Sequence, residues 1–205
     1  LARALADTDE GAAAHHEGQV DLLTPIVKAY GADQAFRIAE MAVQIYGGAG
    51  FVEDHPVEQY LRDAKIFSIY EGTNHIQALD LVARKLQQHG GENFTAFLRE
   101  INEFVAGHSD KPGIGAEVRA LGDASAALQR AAGALMEYFM SGKIDQVTLV
   151  ANPFLEVMAD VTIAPLLLGA AIVADEKRTS DEDEPNQHEI DFYSGKVMAA
   201  KHYVN

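Results

Sequence analysis

Apolar residues recur every three or four positions between Val20 and Tyr46, through Leu22, Leu23, Ile26, Val27, Tyr30, Ala35, Ile38 and Val43. That spacing lines one face of an α-helix, at about 3.6 residues per turn, whereas a strand needs alternation at every second residue. No convincing strand alternation and no Asn-Gly type hairpin signal occurs in the sequence, which points to an all-α fold. The stripe predicts one long helix from about Val20 to Tyr46, with a kink near Gly31. It stops at Gly47-Gly48-Ala49-Gly50, because glycine takes left-handed or tightly turned backbone at little steric cost. A loop is expected to follow.

Further helices are read from the same periodicity and from their caps. Pro56 suits a first helical turn, where its missing N–H costs nothing, and Val57, Tyr60, Leu61 and Ala64 continue an apolar face to about Phe67. After a break at Glu71-Gly72-Thr73-Asn74, residues Ile76, Leu79, Leu81, Val82 and Leu86 mark a third helix, with Thr73 or Asn74 as its N-cap. Gln88-His89-Gly90-Gly91 closes it, and a domain boundary is placed there, giving residues 1–91 and 92–205. A short amphipathic helix is predicted from Phe94 to Val105, a polar loop from Gly107 to Gly113, and long helices over Ala116 to Met140 and Pro153 to Ala174. The last two pair as an antiparallel hairpin. The polar run Asp175 to Glu189 reads as a solvated loop before a final helix near Ile190 to Tyr203. The expected architecture is a helical bundle followed by an additional helical hairpin region.

Charge narrows the function classes. With 16 Lys and Arg against 31 Asp and Glu, the 205-residue chain carries a formal net charge of -15, and a phosphate-backbone partner needs clustered cations. Nucleic acid and anionic membrane surfaces are therefore not expected as partners. The chain has no cysteine, hence no disulfide, thiolate nucleophile or Cys-ligated metal, which fits a reducing compartment; the cytoplasm is the default expectation. Leu1-Ala2-Arg3-Ala4-Leu5 reads as the middle of a helix rather than as a signal peptide, as in a processed or excised piece. The longest apolar run, Val161 to Ala174, has 14 residues, where a bilayer-spanning helix needs about 20, so a buried helix is expected and no membrane span.

Chemistry concentrates in one stretch: Gln44-Ile45-Tyr46-Gly47-Gly48-Ala49-Gly50-Phe51, His55-Pro56-Val57-Glu58, Tyr60-Leu61-Arg62-Asp63-Ala64-Lys65, and Ile69-Tyr70-Glu71-Gly72-Thr73-Asn74. A carboxylate at a helix-to-helix junction between Ile69, Tyr70 and Gly72 can be partly desolvated, which makes it a better proton acceptor. The neighbouring glycine lets a ligand approach the backbone. Most Glu-Gly-Thr triplets are ordinary turns or caps, so the residues alone make Glu71 a candidate and no more.

The order and spacing of these three runs resemble the C-terminal helical domain of acyl-CoA dehydrogenases. There a glutamine-x-x-glycine-glycine run precedes an arginine-aspartate-alanine-lysine helix and a tyrosine-glutamate-glycine-threonine loop. The resemblance covers about Asp21 to Leu86 closely and the remainder loosely. It implies a flavoenzyme that removes the α-hydrogen of an acyl-CoA thioester as a proton while the β-hydrogen leaves as hydride to FAD, yielding a trans-2-enoyl-CoA. By that resemblance Glu71 is the catalytic base and Gly72 lies against the thioester end of the substrate. The backbone N–H of Glu71 is a donor to the developing enolate oxygen. Gln44, Ile45, Tyr46, Gly47 and Gly48 match the run that meets the ADP moiety of FAD, usually that of a neighbouring subunit. Thr73, Asn74 and His75 match positions near the adenosine half; the family often has serine and glutamine or glutamate where this chain has Asn74 and His75.

Further implications of the resemblance are an acyl-CoA substrate, an electron-transferring flavoprotein as acceptor, and a homodimer or higher homo-oligomer. Some branches of the family place the base on an earlier helix; Glu71 occupies the more common position. The residues after Gly91 resemble the helical extension of longer bacterial members, which act on fatty acyl-CoA or sulfur-containing acyl-CoA such as methylmercaptopropionyl-CoA. Family members also have an N-terminal helical and a middle β-domain that are absent from this sequence, so the chain by itself is expected to be inactive. The alternatives are a helical oligomerisation or interaction module with inherited motifs, and a related flavoenzyme that oxidises a different activated substrate.

Other residues are read as structural. Arg62, Asp63 and Lys65 are expected to pair with each other or with a neighbouring subunit. His15-His16-Glu17 does not make a metal site, because adjacent histidines face different sides of a helix. The acidic run Asp181 to Glu184 lacks the glycine and spacing of a calcium loop. Met136, Tyr138, Phe139 and Met140 are expected to pack in the hairpin.

Overall fold

Only helices and turns occur among the described residues of this computed structural model, which are 10–180 and 185–205. The α-helices are α1 Glu10–Tyr46, α2 Gly48–Phe51, α3 Val57–Lys65, α4 Asn74–Ala83, α5 Glu92–His108, α6 Gly115–Met140, α7 Ile144–Arg178 and α8 Gln187–Val204, with 3-10 segments at Ile66–Ser68 and Lys85–Gly91. The all-α expectation holds. The readings of Leu1 to Leu5 and of Asp181 to Glu184 lie outside the described residues.

Two compact units divide the chain: residues up to Thr95 with Ala134–Ala159, and Ala96–Gly133 with Asp160–Asn205. Helices α6 and α7 each contribute to both. In the first unit, α1 is the spine and the chain folds back along it. Lys65 lies over the Phe36 ring at 4.9 Å, the loop after Ser68 bonds to α1 near Lys28, and Lys85 pairs with Asp21. Leu22, Ile26, Ala29 and Ala32 of α1 are buried, as are Val57 and Ala64 of α3 and Ala78, Leu81 and Val82 of α4. At roughly 1.5–3 kcal/mol for each large aliphatic side chain, this seam holds the fold-back. In the second unit Phe97, Leu98 and Ile101 of α5, Val118, Leu121 and Leu128 of α6, and Leu168, Ala171 and Ile172 of α7 form the core.

Several boundaries differ from the expected ones. Helix α1 starts ten residues before Val20, because Glu10–Gln19 is rich in Ala, His and Glu and shows no apolar period, yet Ala13 is buried. It remains one helix through Gly31 and also through Pro25, which the apolar pattern did not flag. Only part of its apolar stripe is covered: Val27, Ile38 and Ile45 are 73%, 67% and 77% exposed. The glycine run does not open directly into a loop; Gly48–Phe51 forms a short helical turn first. Leu86 falls beyond the end of α4, within a 3-10 segment whose His89, Gly90 and Gly91 are left-handed.

Helix α7 begins at Ile144 rather than Pro153. Proline removes one N–H, so the carbonyl of Leu149 loses its helical donor, but Leu149 is 79% exposed and water can serve that carbonyl. The α6–α7 connection is a Schellman turn: the N–H of Lys143 donates to Tyr138 and that of Gly142, with φ +72°, donates to Phe139. Met136, Phe139 and Met140 near its edge are exposed, Met140 at 81%, against the expected packing. At 35 residues α7 is long and apolar enough to cross a membrane, with 44% of its most apolar window buried within the chain; the 14-residue run alone understated its length. The polar stretch after α7 ends in a capping box, in which Asn186 accepts from the Glu189 N–H and Glu189 accepts from the Asn186 N–H.

Candidate functional site

The Glu71 loop is shaped by two successive residues in the left-handed region, Glu71 at φ +52° and Gly72 at φ +82°. For a non-glycine such as Glu71 that conformation costs about 1 kcal/mol, so the surroundings must supply the balance. They do so through hydrogen bonds to both following carbonyls. Gln77 Nε2 donates to the Glu71 carbonyl at 3.4 Å, and Lys28 Nζ donates to the Gly72 carbonyl at 2.6 Å. A Cβ on Gly72 would lie 3.0 Å from Gln77 Nε2.

Thr73 is the N-cap of α4, its hydroxyl accepting from the Ile76 N–H. Asn74 ties the loop to α1: its Nδ2 donates to the Ala29 carbonyl at 3.1 Å and to an Asp33 carboxylate oxygen at 2.7 Å, and its Oδ1 accepts from Lys28 at 3.1 Å. Both ends of this amide are thus spent inside the protein. His75 lies beside Asn152 of α7, Nδ1 to Oδ1 3.0 Å.

The partly desolvated carboxylate expected at position 71 is not what this chain provides. Glu71 is exposed, and its apolar neighbours Ile69 and Tyr70 are themselves 54% and 45% exposed. The loop is bonded to α1, with Glu71 on exposed surface.

Gln44, Ile45, Tyr46, Gly47 and Gly48 are all exposed. Gly47 ends α1 at φ +61°, its N–H donating to the Gln44 carbonyl at 3.2 Å. A Cβ on Gly47 or Gly48 would meet nothing within 4 Å, so the backbone is open to a ligand there. Gly50 differs. Its Cβ would fall 2.7 Å from Tyr46 Cβ and 2.8 Å from the Val43 carbonyl oxygen, so it is glycine for packing. Tyr46 and His55 rings lie 5.4 Å apart across the turn.

The fold does not bring the two runs together. The Glu71 loop rests on α1 at Lys28 and Asp33, whereas Gln44 is eleven residues beyond Asp33, on the order of 16 Å of helix at about 1.5 Å per residue. Arg62 pairs with Glu58 at 3.0 Å within α3 rather than with Asp63, and Lys65 lies over the Phe36 ring rather than in an ion pair within this group. Among the described residues no group of three His, Cys, Asp or Glu is placed to hold a metal. Lys28 and Asp33, which organise the loop, carry no local signal in the sequence; Lys28 is 44 residues from Gly72.

Residues 2–87 match the family described as Acyl-CoA dehydrogenase, C-terminal domain, and residues 97–205 match Acetyl-CoA dehydrogenase C-terminal like. The chain is 36% identical over 193 residues to the broad-specificity linear acyl-CoA dehydrogenase FadE5 of Mycobacterium tuberculosis, covering 90% of this chain and 30% of that protein. It is 32% identical over 180 residues to a butyryl-CoA dehydrogenase of Syntrophomonas wolfei, covering 88% and 29%. Over 92 residues it is 42% identical to 3-methylmercaptopropionyl-CoA dehydrogenase of Ruegeria pomeroyi, covering 45% and 16%. Among solved structures, Caenorhabditis elegans ACDH-11 in complex with C11-CoA shares the fold, with a TM-score of 0.65 at 22% identity over 90% of this chain and 30% of that one. The chain thus spans about 30% of the length of the relatives it matches along most of its own length.

Proposed function

Because the chain belongs to the acyl-CoA dehydrogenase family, we propose that it is the C-terminal part of a flavin-dependent acyl-CoA dehydrogenase in which Glu71 is the base. The observation that carries this reading is the Glu71–Gly72 loop. Its two left-handed residues are pinned at both carbonyls, a strained turn held in place, as is common where a backbone serves chemistry. The carboxylate of Glu71 would take the α-proton of the acyl-CoA thioester, while its own N–H donates to the thioester oxygen as negative charge develops there. Gly72, with no Cβ, leaves room for the thioester end of the substrate.

FAD, when bound, would accept the β-hydrogen as hydride, and the product is a trans-2-enoyl-CoA. Gln44, Ile45, Tyr46, Gly47 and Gly48 would hold its ADP half, and the open backbone at Gly47 and Gly48 fits such a group. Thr73 and His75 would lie near its adenosine portion, with Asn74 holding the loop through its bonds to α1. The separation of the two runs along α1 supports a homo-oligomer in which they serve different flavins. The exposed Val27, Ile38, Met41 and Ile45 on α1 supply apolar surface for such packing. An electron-transferring flavoprotein would then reoxidise the enzyme in the cytoplasm, in fatty-acid β-oxidation or related acyl-CoA catabolism.

The residues after Gly91 would form an extension appended to the catalytic helical domain. The test is to purify the full-length protein that contains this chain. It should be yellow, bleach on anaerobic addition of an acyl-CoA, and release the enoyl-CoA; a colourless protein, or one whose flavin is untouched by a panel of acyl-CoA thioesters, contradicts the reading.

A further inference from the structure

We propose that Lys28 is a positioning residue for proton abstraction, holding the Glu71–Gly72 backbone in its left-handed form from helix α1. This deepens the reading of Glu71 as base and rests on it. Glu71 at φ +52° is a conformation that its own side chain disfavours, so something outside the loop must select it. The amide of Gln77 reaches the Glu71 carbonyl at 3.4 Å, at the long limit of a hydrogen bond. Lys28 is the closer partner: Nζ donates to the Gly72 carbonyl at 2.6 Å, a charge-assisted bond of short length.

The same ammonium donates to Asn74 Oδ1 at 3.1 Å, while Asn74 Nδ2 is held by Asp33 and by the Ala29 carbonyl. Lys28 therefore grips the residue after the base and the first residue of α4 together, and Asp33, less than two turns along α1, completes the clamp. Loss of the bond from Lys28 would free the Gly72–Thr73 peptide, and the turn that fixes the Glu71 carboxylate and N–H would lose its anchor to α1. Position of the base and alignment of the oxyanion donor thus depend on one ammonium 43 residues upstream of Glu71. A misplacement of about 1 Å at a reacting group can cost about a hundredfold in rate.

The experiment uses the full-length flavoenzyme. Lys28→Met should retain flavin and lower kcat about ten- to hundredfold, with KM changed much less, because the contact acts on the base and not on substrate affinity. The kinetic isotope effect with α-deuterated acyl-CoA should rise above that of the parent, as proton abstraction becomes more rate-limiting. Lys28→Arg, which keeps the charge and the donors, should restore part of kcat. If Lys28→Met does not fold, Lys28→Gln carries the same expectations. The proposal is overturned if kcat stays within about twofold of the parent, if the isotope effect is unchanged, or if lost activity only tracks lost flavin. Glu71→Gln, assayed in parallel, separates the two ideas. An active Glu71→Gln removes the base itself, whereas an inactive Glu71→Gln beside a fully active Lys28→Met removes only the positioning role.

Discussion

Gly72 and Glu71 illustrate how one turn can combine strain and openness. Adding a Cβ at Gly72 meets Gln77 Nε2 at 3.0 Å and imposes a side chain at φ +82°. Gly72→Ala should therefore destabilise the chain by about 1–2 kcal/mol, seen as a lowered midpoint in urea. A second residue-scale test concerns Asp21. Its hydrogen bond from Lys85, reinforced by that positive charge and by Gln88, holds its carboxyl below the ordinary aspartate value of 3.8. Lys85 is only 5% exposed, so Asp21→Asn leaves an ammonium buried without its counter-ion and should cost about 2–3 kcal/mol near neutral pH. A depressed carboxyl stabilises the fold above its unfolded value and loses that contribution as pH falls through the folded one. The gap in stability between parent and Asp21→Asn should hold down to the ordinary value and shrink below it. Thermal melts across that range check this, and a gap that widens in acid contradicts it.

Helix ends are where local chemistry is most predictive and where it also stops. Gly50→Ala should cost about 1–3 kcal/mol, because its Cβ meets the Val43 backbone at 2.8 Å as well as Tyr46; an unchanged melting midpoint would show that the short turn after α1 is free to shift. The Glu71–Gly72 break and the Thr73 cap were legible in the sequence because each is decided within four or five residues. The start of α1 was not, since Ala- and His-rich residues carry no apolar period. The start of α7 was hidden by Pro153, whose cost is local and is offset where the affected carbonyl of Leu149 faces solvent. At the site, Glu71 and the glycine run were legible through their ordered motifs. The clamp of Lys28, Asp33 and Asn74 was not, because contacts 41 to 46 residues apart exist only once α4 lies along α1. The expected desolvation of Glu71 failed for a related reason: apolar neighbours in sequence are themselves exposed here.

Across the whole molecule, the chain leaves both Glu71, the proposed base, and the open glycine run on exposed surface. With about 30% of the length of its relatives, it is predicted on its own to bind FAD poorly and not to oxidise acyl-CoA. Stoichiometric flavin in the purified 205-residue chain would overturn that. Burial of Glu71 would instead come from the remainder of the enzyme, which would exclude water and strengthen the charge stabilisation at the thioester oxygen. The most direct measurement is the anaerobic rate of flavin bleaching when full-length Glu71→Gln is mixed with an acyl-CoA that bleaches the parent. The variant should keep its flavin and bind the thioester, yet bleach at least about a thousandfold more slowly, a loss of about 4 kcal/mol of barrier lowering. Bleaching at the parent rate would place the base elsewhere.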